Sequence, residues 1–149
     1  MSGVSVPGVS VPDPADATRE VLDVLERVRD GWERMDGEAV LACFEPGPGT
    51  VVIGTDAPEY WIGFDAFAEP FRKMANTFSN AVYRWADGPS VDMEDGVAWS
   101  TGRLIGVFES EGQHVELDMR TTHVLRRGPD GWRIVQGHYS AAAAEPVGY

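Results

Sequence analysis

The groups in this 149-residue chain that could do chemistry are concentrated in its last three predicted strands. The run Gly131-Trp132-Arg133-Ile134-Val135-Gln136-Gly137-His138-Tyr139-Ser140 has strand character. A period of two puts Trp132, Ile134, Gln136, His138 and Ser140 on one face, and Arg133, Val135, Gly137 and Tyr139 on the other. On the strand before it the same period joins Arg120 to Thr122 and Thr121 to His123. One strand earlier, Trp99, Thr101 and Arg103 share a face. Two constellations result. In the first, Arg120, Thr122, Gln136, His138 and Ser140 stand together. As the one imidazole there, His138 is the natural general base if that face lines a pocket. If the face meets a second subunit instead, the same groups are interfacial hydrogen bonds. Asp118 lies on Arg120's face and is placed to accept its guanidinium. In the second, Trp99, Thr101, Arg103, Thr121, His123 and Tyr139 line one cavity, with Arg103 able to grip a carboxylate bidentately.

Other chemistries lack their residues. Three separated histidines form neither a helical pair nor a His-rich tract, so no metal site is expected. There is no Gly-x-Ser-x-Gly elbow and no phosphate-cradling glycine loop, and no cofactor is expected. The single cysteine, Cys43, excludes an internal disulfide framework and fits a reducing cytoplasm, where the chain is placed. Its apolar surroundings suit a buried structural role. With 24 acidic against 12 basic residues the net charge is −12, which argues against nucleic acid as a partner. Lys73 is the only lysine, so there is no polybasic membrane patch, and no apolar run approaches a membrane span.

These strands need a scaffold. Residues 1–12 repeat Gly-Val-Ser-Val-Pro and read as a flexible leader without the features of a secretory signal. Asp13-Pro14 caps and opens a long amphipathic helix carrying Val21, Leu25, Val28 and Trp32. After Asp36-Gly37 comes a short helical stretch to Phe44, and Pro46-Gly-Pro-Gly49 turns the chain. Thr50–Thr55 is the first strand, with Tyr60–Ile62 as its hairpin return across Asp56-Ala-Pro-Glu59. Phe67, Phe71, Met74 and Phe78 follow at helical spacing, with a kink or late start expected at Pro70. Five strands are expected next, over 81–86, 91–93, 97–108, 114–126 and 132–140, with turns that include Asp87-Gly88-Pro89. Helices followed by a meander make an α+β domain over residues 13–141, trailed by a tail, 142–149.

Taken in order, several phrases resemble the SnoaL-like branch of the nuclear transport factor 2-like superfamily. They are Trp32 with Asp36-Gly-Glu-Ala-Val-Leu, Val51-Val-Ile-Gly-Thr-Asp56, Trp61-Ile-Gly63, Gly96-Val-Ala-Trp99, Arg120-Thr-Thr122, and Gly131-Trp-Arg-Ile-Val135 with His138 and Ser140. The resemblance implies a cone-shaped fold in which N-terminal helices pack inside a strongly curved, mostly antiparallel sheet. It also implies a pocket at the open end and a homodimer through the sheet. It implies no single reaction, because this fold hosts isomerases, cyclases, dehydratases and non-catalytic modules. The carboxylate base of the ketosteroid isomerases would fall on Ile53 or Gly54, so it is missing. Asp56 at the strand end could substitute, and Asp118 resembles the late acid of polyketide cyclases. The closing phrases also resemble the calcium/calmodulin-dependent kinase association domain, whose pocket arginines would align with Thr101, His123 and Tyr139.

The expectation is a SnoaL-like pocket protein that holds a small, largely apolar molecule among the chain's tryptophans. Trp61, Trp99, Arg103, Arg120, His123 and Tyr139 would line the pocket. The first alternative is a metal-free acid/base isomerase, cyclase or dehydratase acting on a polyketide- or steroid-like substrate through His138, Asp118 or Asp56. The second is a non-catalytic dimerisation or accessory domain.

Overall fold

The computed structural model describes residues 13–143 and residue 148, so the leader and most of the tail lie outside the described residues. Helix α1 spans Pro14–Glu33, and the Asp13 carboxylate accepts the Ala15 N–H at 2.8 Å as its N-cap. The helix buries Ala17, Val21, Val24, Leu25, Val28 and Gly31 along one stripe. Helix α2, Gly37–Leu41, is capped in the same way by Asp36. Strands β1 (Val51–Ile53) and β2 (Tyr60–Ile62) form the expected hairpin. Helix α3 runs Phe64–Thr77 with Pro70 inside it, so it does not start late at that proline, and it ends one residue before Phe78. Phe78 therefore opens a strand rather than closing the helix.

Four long strands follow: β3 (Phe78–Glu94), β4 (Val97–Ser110), β5 (Gln113–Gly128) and β6 (Gly131–Ala141). The first of them corrects the sequence reading, which broke it in two at Asp87-Gly88-Pro89. Gly88 sits at φ 74°, open to glycine without strain, and the register against β4 shifts on either side of Asp87. Those irregularities absorb the extra residues, so the chain bends and continues instead of reversing. The sheet order is β2-β1-β6-β5-β4-β3, with every neighbouring pair antiparallel except β1 with β6, which is parallel. The result is the curved mixed sheet of an α+β domain.

Two apolar clusters fill the concave side. The larger joins the helices to Val52, Ala98, Leu125, Trp132 and Ile134. Fully buried side chains such as Phe44, Phe67 and Leu25 each contribute about 1.5–3 kcal/mol relative to exposure. The smaller cluster is Ala81, Tyr83, Leu104, Phe108 and Met119, and Trp32 packs against both. Arg29 and Glu33 tie the end of α1 to the smaller cluster. Arg29 donates to the Tyr83 carbonyl at 2.8 Å, and Glu33 accepts the Tyr83 N–H at 2.9 Å.

Candidate functional site

Where the two clusters fail to meet, a cavity of about 310 Å³ remains. Trp32, Phe71 and Met74 form its helix side, and Trp61, Tyr83, Leu104, Phe108, Leu117, Met119 and Tyr139 its sheet side. Its aromatic wall is braced edge to face, with Phe71 set 5.1 Å from Trp32 and 5.9 Å from Trp61, ring centre to ring centre. Gly106 lets the sheet wall lie flat, since a Cβ there would come within 2.6 Å of the Tyr83 ring. The polar residues in the cavity lining are few: Thr55, Ser110, Tyr83, Tyr139, Asp56 and Glu59. Among the described residues no Lys, Arg or His lines the cavity. Burial pushes the Tyr83 phenol up to about 12 and also raises that of Tyr139, so both hydroxyls stay protonated at neutral pH.

Behind Tyr139 stands His123, 3% exposed, with its Nε2 2.7 Å from the Tyr139 hydroxyl. Burial lowers the imidazole to about 4, so the ring is neutral near pH 7. A backbone irregularity makes this pairing possible. In β5 the consecutive residues Val124 and Leu125 pair with Gln136 and Ile134, leaving Val135 as an extra residue in β6. The bulge reverses the alternation. Trp132 and Ile134 point inward before it, and Gly137 and Tyr139 point inward after it.

His138 is consequently exposed on the outer face of the sheet, not on the face of Trp132 as a strict period of two requires. Arg120 and Asp118 are exposed there too, and they are joined by Trp99 and Arg103, which the sequence reading grouped with His123 and Tyr139. The register explains the regrouping, because Arg103 pairs with Arg120 and Gly102 with Thr121. Side chains directly opposite one another share a face, so Arg103 cannot join Thr121 and His123. Asp118 takes Arg103 as its partner rather than Arg120, through a two-pronged contact at 2.5 and 3.3 Å. That hydrogen bond holds the carboxyl below its ordinary range. An ionised Asp118 outside the cavity has no proton to deliver into it. Of the expected site residues, Trp61, Tyr139 and Asp56 reach the cavity wall, and His123 stands one contact behind it.

Glu59 is the cavity residue that sequence reasoning treated only as part of a loop. Its carboxylate accepts the Asp56 N–H at 2.8 Å and folds over Gly54, where a Cβ would lie 2.5 Å from Oε1. The available signal was Gly54 itself, because a glycine at a strand end often marks close approach by another group. Strand β1 runs alongside β6 with Ile53 opposite His138, so Gly54 comes opposite Tyr139. Glu59, in the loop before β2, and Tyr139, on β6, both line the one cavity. Among the described residues no three His, Cys, Asp or Glu side chains gather as a metal-holding group. No helix of the described residues is long and apolar enough to cross a membrane.

The model of the SnoaL-like domain family matches residues 21–144. No protein of curated function matches the chain. Among solved structures, a nuclear transport factor 2-like superfamily protein from Salmonella enterica subsp. enterica serovar Typhimurium str. LT2 is similar, with TM-score 0.81 and 23% identity over 91% of this chain and 98% of that one. A ketosteroid isomerase-like protein from Erwinia carotovora atroseptica SCRI1043 has TM-score 0.71 and 17% identity, covering 86% of this chain and 98% of its own. A structure from Xanthomonas campestris named after the calcium/calmodulin dependent protein kinase II association domain has TM-score 0.72 and 18% identity, covering 95% and 100%. Similarity at these identities is a likeness of fold.

Proposed function

This chain belongs to the SnoaL-like domain family, and we propose that it is a pocket protein holding one small, uncharged, largely apolar molecule between its helices and its sheet. The observation that carries this reading is the cavity of about 310 Å³, walled by aromatic and aliphatic side chains and, among the described residues, lined by no cationic one. Its volume is at the lower end of the range for small-molecule sites, and its few polar groups suit orientation rather than charge pairing. An anionic ligand would meet Asp56 and Glu59 with nothing to neutralise it. Native mass spectrometry of the protein purified from its own host is the test. A co-purifying neutral species, released on unfolding and absent from Leu104→Trp protein with a filled cavity, is the expected result. Protein that is empty in both forms contradicts the reading.

Proton transfer is a second reading, favoured by Glu59 and Tyr139 lining the same cavity. One similar structure is named ketosteroid isomerase-like, which agrees with such chemistry in this fold. Glu59 would act as base in place of Asp56, while His138 and Asp118 face the wrong way. Wild-type protein would then introduce solvent deuterium next to the carbonyl of 2-tetralone, and Glu59→Gln would slow this by about 100-fold or more. Exchange no faster than in buffer would leave binding as the whole function.

The outer sheet face is proposed to meet a second copy of the chain. Tyr60, Ile62, Val97 and Trp99 are exposed, from 39% to 64%. Arg103 and Asp118 on the same face already neutralise each other. A self-complementary patch of this kind suits a two-fold dimer.

A further inference from the structure

We infer that Tyr139 presents its hydroxyl hydrogen to the cavity and binds an uncharged carbonyl oxygen there, with His123 fixing that hydrogen's direction from behind. This rests on the pocket reading above and adds the chemical class of the ligand. The His123 ring has two nitrogens with different surroundings. Nε2 is 2.7 Å from the Tyr139 oxygen, whereas Nδ1 is buried and has no hydrogen-bond partner among the described residues. A neutral imidazole carries one proton, so two arrangements are available. With the proton on Nδ1, a buried N–H has nothing to donate to, and such orphaned donors are rare in folded proteins. With the proton on Nε2, only a lone pair goes unpaired, which costs less. The second arrangement is therefore favoured, and it makes His123 the donor and the Tyr139 oxygen the acceptor.

That assignment determines what Tyr139 offers. Its oxygen already accepts from His123, so its own hydrogen must point elsewhere, and the residue lines the cavity. Gly137 leaves room for this geometry, since even a Cβ there would sit 3.4 Å from the Tyr139 ring and 3.5 Å from its hydroxyl oxygen. A protonated phenol with a preset hydrogen suits an acceptor that brings no proton of its own. Ketones, aldehydes and quinones have that group, and their carbon frames suit the aromatic wall.

Two measurements test the inference independently. In ¹⁵N-labelled protein, the His123 imidazole, assigned by its loss in His123→Gln, should show a proton on Nε2 near pH 7. A proton on Nδ1 overturns the inference with no ligand involved. The second measurement uses 9-fluorenone and fluorene, which share a frame and differ at the carbonyl, titrated by the fluorescence of Trp32 and Trp61. Wild-type protein should prefer fluorenone by about fivefold, the worth of one neutral hydrogen bond, and Tyr139→Phe should bring the ratio close to one. The carbonyl stretch of bound fluorenone should move to lower wavenumber in wild type and not in Tyr139→Phe. Equal binding of the two compounds, or an unmoved stretch, overturns the carbonyl assignment and leaves the pocket intact. Binding of neither compound removes the pocket reading, and the inference goes with it.

Discussion

The imidazole of His123 gives the folded state a measurable sensitivity to acid. Its folded value is about 4, against 6.5 when unperturbed, because burial disfavours the charged ring. Between those values the unfolded chain binds a proton that the folded chain refuses, so stability rises with pH across the window and falls as the solution is acidified from about 6.5 to 4. The loss amounts to about 3 kcal/mol at the lower limit. Carboxylates titrate there as well, so urea unfolding should be compared with that of His123→Gln, whose curve lacks this slope. Parallel curves would show that His123 is solvated. A second residue-scale prediction concerns Gly106. A methyl group there would press on the Tyr83 ring, and Gly106→Ala should cost about 1–3 kcal/mol in thermal or urea unfolding.

At the scale of elements, the bulge in β6 decides which chemistry the cavity has. If β6 alternated strictly through Val135 instead of bulging there, the strand that keeps Trp132 and Ile134 inside would carry His138 and Ser140 into the cavity and Tyr139 out of it. Deletion of Val135 takes out the extra residue and leaves the pairs Leu125–Ile134 and Val124–Gln136 in ordinary succession, so Gly137 and Tyr139 should stay inward and the His123–Tyr139 contact should survive. Protection of the Tyr139 hydroxyl, followed by NMR, should match that of the wild type, and its loss would show that the bulge itself is needed to aim the ring. This also shows what was legible in the residues beforehand. The periodicities that set α1, the β1–β2 hairpin and the long strands are repeated over many positions, so they survive local irregularities. A bulge is one residue of insertion with no composition of its own, because Val135 suits either side of a strand. The partition of the site residues turned on that one residue, and on a β4–β5 register that the turn at Glu111-Gly112 leaves open. The outer face is also an element-scale matter. If it joins two copies, Trp99→Glu should convert a dimer to a folded monomer in analytical ultracentrifugation. A monomer in the wild type would exclude that interface.

Seen as a whole molecule, the protein combines a strong negative charge with an interior site at which the described residues place no cation to counter it. Both features select against anions, at long range and on contact. A carboxylated fluorenone should bind about tenfold or more weakly than fluorenone itself, and added salt should narrow the gap. Equal affinities would mean that Asp56 and Glu59 point away from the bound molecule. The fold was predictable at this scale because a pattern of helices followed by long strands has few compact solutions. The empty volume was not, because a missing contact between two clusters is written in no single residue.

Trp32 packs against both of those clusters, and across the gap it is their shared support. With the space vacant, the edge of the sheet around Ala81 and Tyr83 has fewer neighbours to hold it, so its amides should exchange with solvent sooner than those of Val52 and Ile134. A guest in the gap would bridge the two halves and make them open together. Slowed exchange along β3 would then register occupancy even for a guest whose identity is unknown.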